Sequence, residues 1–124
     1  MELRALGGEY AVCRLPSGSA PAPDYRGGLL SITVTPDEVS VVCPVERAPA
    51  GATIERGWSA YVVAGPLDFS LTGVLASLAQ PLAEAGVPVF AVSTYDTDYL
   101  LVRSTDRDRA EQAWRQAGHL TSAG

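Results

Sequence analysis

The sequence predicts an α+β fold built from two consecutive halves that repeat one order of elements. Each half contains a lone strand, a connection and then a β-hairpin. The second half adds two helices, and one of them carries a clear apolar stripe. With 124 residues, 47% hydrophobic and 19% charged, the chain holds enough apolar material for a folded core. We expect the division near the middle, between residues 1–50 and residues 51–124.

The first half is predicted to be β-structure with almost no helix. Residues 9–15 (EYAVCRL) have the composition of a strand. Residues 16–28 contain several prolines and glycines without a helical period, so we expect a loop with at most one short helical turn. Residues 29–43 hold two apolar runs joined by a Pro-Asp-Glu turn, which predicts a hairpin. Residues 44–57 are rich in Pro and Gly and are predicted to form a linker.

The second half begins with a predicted strand and helix. Residues 58–64 (WSAYVVA) favour a strand that ends at a Gly-Pro pair. Apolar residues then recur at helical spacing over residues 71–85. We expect Asp68 or Ser70 to cap this helix. Pro81 lies inside the pattern, and because proline lacks a backbone donor it is expected to kink the helix or restart its last turns.

A hairpin and a second helix complete the predicted pattern. Gly86 is expected to end the first helix. Residues 87–102 form two apolar runs around a Thr-Tyr-Asp-Thr turn, which predicts a hairpin. Residues 107–117 place three alanines and a tryptophan on one helical face, with Thr105 or Asp106 as the cap.

A strand, a crossover and a hairpin packed in two layers give a split β-α-β, ferredoxin-like arrangement. Its sheet is antiparallel and its helices lie on one face. A right-handed crossover places the first strand of each half beside the last strand of its hairpin. Cys13 and Cys43 then fall on neighbouring strands. Because both lie in apolar runs without CxxC spacing, we interpret them as buried thiols, with a disulfide or a reactive thiol as the alternative.

Composition argues against several classes of function. The net charge of −5 makes nucleic acid an unlikely partner, because an acidic chain repels phosphate. No apolar run approaches the roughly 18 residues of a membrane span, and the first residues do not resemble a secretory signal. We therefore expect a cytoplasmic protein. With two cysteines and the single histidine His119, we expect neither a metal site nor a cofactor, and no general base.

The first candidate site lies where the strand at 58–64 passes into the following helix. The first amides of a helix have no internal partner, and their partial positive charge suits a carboxylate or a phosphate. The hydroxyl groups and Gly73 in this stretch would add contacts and allow close approach. A purely structural role as cap and core is the alternative. The predicted ligand-binding residues here are Gly65, Leu67, Asp68, Phe69, Ser70 and Thr72.

The second candidate site is the polar turn of the hairpin in the second half. Its two aspartates could hold an ammonium or a guanidinium group. They could also bind a hard cation, although no calcium-loop pattern is present. An exposed tip whose polar side chains satisfy turn amides is the structural alternative. The predicted ligand-binding residues here are Ser93, Thr94, Tyr95, Asp96 and Asp98.

Together, the two stretches predict a site for a zwitterion. In a β-α-β-β unit, the loop before the helix and the hairpin turn come from strands that can lie side by side. A ligand carboxylate would then meet the helix amides, and its amino group would meet Asp96 or Asp98.

Several motifs add a family resemblance that spans nearly the whole chain and is strongest over residues 58–102. The motifs are GPLDFSLTGVLASLA at 65–79, PLAEAG at 81–86, VFAVSTYDTDYLLV at 89–102, YAVCRL at 10–15 and VSVVCP at 39–44. With these motifs, the chain resembles the small bacterial tandem ACT-domain proteins related to the CASTOR arginine sensors of animals.

The resemblance implies two tandem ACT-like halves of βαββαβ type used for sensing small molecules, usually amino acids. Such modules bind at ACT–ACT interfaces, within a tandem protein or in a dimer. Their ligand contacts map here onto residues 65–70, with Thr72 and Gly73, and onto residues 93–98. The chain departs from a full tandem pair because the helix of its first half is reduced, and it lacks the extra ACT pair of the animal sensors.

Our leading hypothesis is a non-enzymatic regulatory module that binds a free amino acid. Leu67, Phe69 and Val92 would form an apolar wall that selects the ligand side chain. We expect a homodimer and a separate, unidentified effector protein. One alternative is a structural dimerisation module without a ligand. A second is a small acylphosphatase-like hydrolase that would use Arg14 and Arg26 to hold phosphate, although no phosphate-loop pattern accompanies them.

Overall fold

The computed structural model describes residues 1–22, 24–64 and 73–123. The chain divides into a larger unit, Met1–Gly7 with Ser59–Gly124, and a smaller unit, Gly8–Trp58. The elements are β1 (Glu2–Ala5), β2 (Tyr10–Pro16), β3 (Ser31–Val34), β4 (Glu38–Pro44), β5 (Thr53–Val63), α1 (Val74–Glu84), β6 (Phe90–Ser93), β7 (Asp98–Arg103), α2 (Arg107–Gln116) and β8 (Leu120–Ala123). Short 3-10 turns cover Val45–Arg47 and Ser104–Asp106.

The smaller unit is a sheet in the order β3-β4-β2-β5, to which β5 contributes its first residues. The predicted hairpin is confirmed, since β3 and β4 pair antiparallel. The first strand lies beside the last hairpin strand, as a right-handed crossover requires. Among the residues described in this unit there is no α-helix, only the 3-10 turn Val45–Arg47, so the reduced helix is also confirmed.

The larger unit contains a sheet in the order β8-β1-β5-β7-β6. The sequence analysis did not predict β1 or β8. Leu3 of β1 pairs antiparallel with Val63 and parallel with Thr121, so one pair in a mainly antiparallel sheet is parallel. Four residues are too few for a periodic signal, although β1 does alternate exposed and buried positions. The structure thus groups residues 1–7 with the larger unit; the division at residue 50 stays a prediction.

Both helices pack on one face of this sheet. Residues two apart on each strand face the helices, because side chains alternate across a strand. The indole Nε1 of Trp114 donates a hydrogen bond to the carbonyl of Leu78 at 2.9 Å and joins α2 to α1. The core consists of Leu3, Ala5, Tyr61, Val63, Leu78, Leu82, Val87, Leu100, Val102, Ala110 and Trp114.

Two predicted boundaries were wrong. The cap of α1 is neither Asp68 nor Ser70: Gly73 occupies that position with φ +76°, and the helix begins only at Val74. A right-handed helix cannot continue through a residue with positive φ, so α1 begins after Gly73. The apolar spacing in the sequence begins earlier, at residue 71. β5 begins at Thr53, inside the predicted linker. Gly57, with φ +80°, lets the strand continue through an irregular register, which sequence pattern alone does not reveal.

Other boundaries were confirmed. Gly86, with φ +72°, follows the end of α1 as its predicted stop. Asp106 occupies the predicted cap position of α2, without a side-chain cap hydrogen bond. In contrast, α1 continues through Pro81, so its last turns do not start afresh there, and the alternative of a kink stays a prediction. The hairpin of β6 and β7 pairs antiparallel, with Ser93 opposite Asp98.

Candidate functional site

The turn between β6 and β7 is closed by the backbone and by one threonine side chain. The amide of Thr94 donates to the carbonyl of Thr97 at 2.8 Å. The hydroxyl of Thr94 also donates to that carbonyl at 3.1 Å and accepts from the amide of Thr97 at 3.2 Å. The polar groups of Thr94 are therefore used within the turn. For this residue, the finding agrees with the alternative interpretation, in which polar side chains satisfy the amides of the turn.

The hydroxyl of Thr97 connects the turn to the end of β5. It donates to the carbonyl of Val63 at 2.8 Å. The next residue, Ala64, donates its amide to the carbonyl of Glu2 at 2.8 Å. The turn therefore lies beside the position from which the chain continues into residues 65–72. Thr97 lies within the stretch 93–98 that the resemblance indicated, but its bond to β5 was not predicted, because a hydrogen bond between distant segments leaves no local signal.

The two aspartates of the turn differ in how much of their bonding capacity is used. Asp98 accepts a hydrogen bond from the hydroxyl of Ser93 at 2.6 Å through Oδ1. Asp96 is exposed, and its carboxylate makes no hydrogen bond or ion pair with any of the residues the structure describes. Tyr95 is 81% exposed. The turn thus presents one uncommitted carboxylate and one with a free second oxygen to a cationic group.

The other half of the predicted site is described only from Gly73 onward. Gly65, Leu67, Asp68, Phe69, Ser70 and Thr72 lie outside the described residues. The sequence placed Gly73 just inside the helix, whereas it is the cap residue that precedes Val74. The amide of Ser77 donates to the carbonyl of Gly73 at 2.8 Å, which leaves the earlier amides without partners in the helix. Val92, expected in the apolar wall, is half-buried on β6.

The smaller unit repeats the same turn between β3 and β4. The hydroxyl of Thr35 donates to the carbonyl of Glu38 at 2.9 Å and accepts from the amide of Glu38 at 3.0 Å. Asp37 occupies the third position, as Asp96 does in the larger unit. The repeat predicted from the order of elements therefore extends to side-chain hydrogen bonding in the turn.

His119 has a structural role that the sequence did not indicate. Pro81 has no N–H, so the carbonyl of Ser77, one turn earlier, lacks its intrahelical partner. The Nε2 of His119 lies 3.2 Å from that carbonyl oxygen. Its Nδ1 lies 3.0 Å from the amino group of Met1. Because a carbonyl oxygen can only accept, Nε2 is the donor in the contact with Ser77.

The cysteines were expected to be buried on neighbouring strands, and both are buried and free on β2 and β4. Burial raises the pKa of Cys43 to about 12, with the nearby Cys13 thiol adding to the effect. Burial also raises the pKa of Cys13. Both thiols are therefore held protonated at neutral pH, which suits packing and not nucleophilic chemistry.

Two further expectations concern metals and phosphate. Within residues 1–22, 24–64 and 73–123, no group of three His, Cys, Asp or Glu side chains is placed to hold a metal ion. Arg26, invoked for phosphate binding, pairs instead with Asp24 on the surface at 2.8 Å. Arg14 is exposed on β2.

Sequence comparison relates the elements of the larger unit to a known family. The model of an ACT domain matches residues 53–116, which covers β5, both helices and the β6–β7 hairpin. The chain belongs to the ACT-domain family. A second family model, described as an N-terminal domain, matches residues 8–51. The predicted ferredoxin-like ACT fold and the resemblance to ACT-domain proteins are thus confirmed.

Individual relatives agree with this assignment. The human protein CASTOR3P is 32% identical over an alignment of 94 positions, and the match covers 65% of this chain and 58% of that protein. The chain thus spans less than two thirds of that relative. The crystal structure of Atu0741 from Agobacterium tumefaciens has a TM-score of 0.91 at 40% identity, covering 99% of this chain and 92% of that one.

A more distant structure shares the fold alone. The regulatory subunit of aspartate kinase from Thermus thermophilus has a TM-score of 0.64 at 13% identity, covering 93% of this chain and 96% of that one. In the described part of the ACT-domain protein, no helix has the length and apolarity needed to cross a bilayer.

Proposed function

We propose that this ACT-domain protein is a non-enzymatic regulatory module that binds a free amino acid. The site is formed by the β6–β7 turn and by residues 65–72 with the start of α1. The observation that carries the proposal is the hydrogen bond from the hydroxyl of Thr97 to the carbonyl of Val63 at 2.8 Å. It holds the acidic turn next to the point where residues 65–72 leave β5.

The chemistry of the two parts suits a zwitterion. The free carboxylate of Asp96 and the second oxygen of Asp98 accept hydrogen bonds from an ammonium group. The unpaired amides at the start of α1 attract a carboxylate through their partial positive charge. Because each end of the ligand meets the opposite charge, a molecule lacking either group binds less tightly. The apolar wall of Leu67, Phe69 and Val92 completes the proposed site.

The proposal includes a homodimer and a separate effector protein in the cytoplasm. Among the described strands of the larger unit, β6 and β8 form the two edges of the sheet, and in our proposal one of them pairs with a second copy. Leu120 on β8 is 67% exposed, which adds apolar surface at that edge. An occupied site near the turn could then change which surface the dimer offers to its effector.

A thermal-shift screen of the standard free amino acids tests the proposal. A ligand present at 100 times its dissociation constant stabilises the folded state by about 2.7 kcal/mol, so one or a few amino acids should raise the melting temperature. The N-acetyl derivative and the methyl ester of the best ligand serve as matched controls, since each lacks one of the two charges. We expect both to give much smaller shifts.

The screen also addresses the main alternative. A structural dimerisation module uses the same exposed edges but has no reason to respond to any amino acid. A flat response across the screen would contradict the proposed ligand and favour that alternative. Equal shifts from the amino acid and both blocked derivatives would contradict the zwitterion site while leaving ligand binding intact.

A further inference from the structure

The smaller unit contains a cavity that the amino-acid site does not use. Its volume is about 540 Å³, within the range of small-molecule sites. The loop at 20–22, which contains Pro21 and has no helical or strand structure, forms one wall. Leu15, Pro49 and Ala50 supply further apolar surface. The cavity therefore offers an apolar interior of suitable size.

Arg47 is the charged residue of this cavity. It ends the 3-10 turn Val45–Arg47 and is half-buried. Its guanidinium makes no hydrogen bond or ion pair with any residue in the described part of the chain. Elsewhere, Arg26, Arg107, Arg109 and Arg115 each have a carboxylate partner. A half-buried guanidinium without a partner has unused hydrogen-bond donors, which can bind an anion.

The remaining polar group of the cavity does not compete for that role. The hydroxyl of Ser19 donates to the carbonyl of Pro16 at 2.7 Å, so its proton is already used. Among the described residues that line the cavity, none is acidic. The cavity thus supplies donors for an anion but no carboxylate for an ammonium group.

From these observations we infer that the cavity binds a small organic carboxylate with an aliphatic body. The carboxylate pairs with the guanidinium of Arg47, and the aliphatic chain lies against Leu15, Pro49 and the loop at 20–22. An amino acid of the same length is a poorer ligand, because its ammonium would be desolvated without a partner. The inference is independent of the amino-acid site proposed for the larger unit.

Hexanoate, norleucine and hexylamine are the probes, because they share a six-carbon chain and differ only in their charged groups. Each is titrated into the unmodified chain while amide shifts are followed by two-dimensional NMR. We expect hexanoate to shift the amides of Ala20, Ala22, Arg47 and Ala50 in a saturable way. Norleucine should bind at least about tenfold more weakly at these amides, and hexylamine should not shift them.

Two arginine variants locate the anchor. Arg47→Gln should weaken hexanoate binding by about tenfold, the value of one charge-assisted hydrogen bond. Arg56→Gln is the matched control, because Arg56 is exposed in the same unit and does not line the cavity. Hexanoate binding should be unchanged in that variant.

Three outcomes would overturn the inference. The first is the absence of saturable shifts at the cavity amides with hexanoate. The second is norleucine binding there as tightly as hexanoate, which would exclude the proposed ligand class. The third is equal hexanoate binding by the Arg47→Gln and Arg56→Gln variants. The comparison of probes uses the native chain, so it decides the question even if Arg47→Gln fails to fold.

Discussion

Tyr61 and Glu111 form a polar pair at the edge of the core of the larger unit. The hydroxyl of Tyr61 donates to Oε2 of Glu111 at 2.5 Å, and the Nε of Arg107 donates to the same oxygen at 3.1 Å. Burial acts to raise the pKa of Glu111, but the hydrogen bonds from Tyr61 and Arg107 outweigh it and hold this pKa below its usual range. Burial, together with the hydrogen bond to Glu111, raises the pKa of Tyr61.

The lowered pKa predicts an acid-dependent loss of stability. A carboxyl group whose pKa is depressed by folding stabilises the protein above its ordinary pKa, and this contribution disappears as the pH falls through the folded-state value. Glu111→Gln should lower the free energy of unfolding by about 1 kcal/mol at about pH 7 and by less at about pH 3. Chemical denaturation at both pH values measures the difference.

Glu84→Gln is the control for this prediction, since Glu84 is exposed at the end of α1. The free energy of unfolding of this variant should equal that of the native protein at both pH values. An equal effect of Glu111→Gln at neutral and acid pH would show that the charge of Glu111 is not what stabilises the fold. The sequence did not single out this pair, because Tyr61 and Glu111 are 50 positions apart.

At the level of elements, α1 depends on a residue outside itself. The apolar spacing of α1 and its Gly86 stop could be predicted, because both are local features of the sequence. The start of the helix could not, since it depends on the positive φ of Gly73. The hydrogen bond from His119 to the Ser77 carbonyl could not be predicted either, because the two residues lie 42 positions apart.

A double-mutant cycle tests this dependence. His119→Ala should lower the free energy of unfolding by about 0.5–1 kcal/mol, because it removes the donor to the Ser77 carbonyl. In the Pro81→Ala background, the new amide at position 81 serves that carbonyl, and the same change should cost about 0.5 kcal/mol less. Denaturant unfolding of the four proteins gives both values. Equal costs in the two backgrounds would mean that His119 does not replace the donor missing from Pro81.

At the level of the whole molecule, the order of elements carried most of the predictive information. The hairpins, the two helices of the second half and the reduced helix of the first half follow from hydrophobic period and from Pro and Gly positions. β1 and β8 do not follow, because each has four residues and is stabilised by pairing with a distant strand. The positions of the polar groups in the β6–β7 turn followed from its sequence, whereas its attachment to β5 through Thr97 did not.

The repeated turn supplies a matched pair of variants. Asp96 and Asp37 occupy the same position in turns that share the same threonine hydrogen bonds. Both aspartates are exposed, and alanine at either position leaves those threonine bonds in place. The two substitutions therefore change charge equally and differ only in which half of the chain they affect.

Isothermal titration calorimetry of these two variants, with the amino acid that gives the largest thermal shift, tests the central claim most directly. If that ligand's ammonium group lies against the β6–β7 turn, Asp96→Ala weakens binding by at least about tenfold, and Asp37→Ala leaves it unchanged. If both variants bind as tightly as the native chain, the amino-acid site is not at this turn.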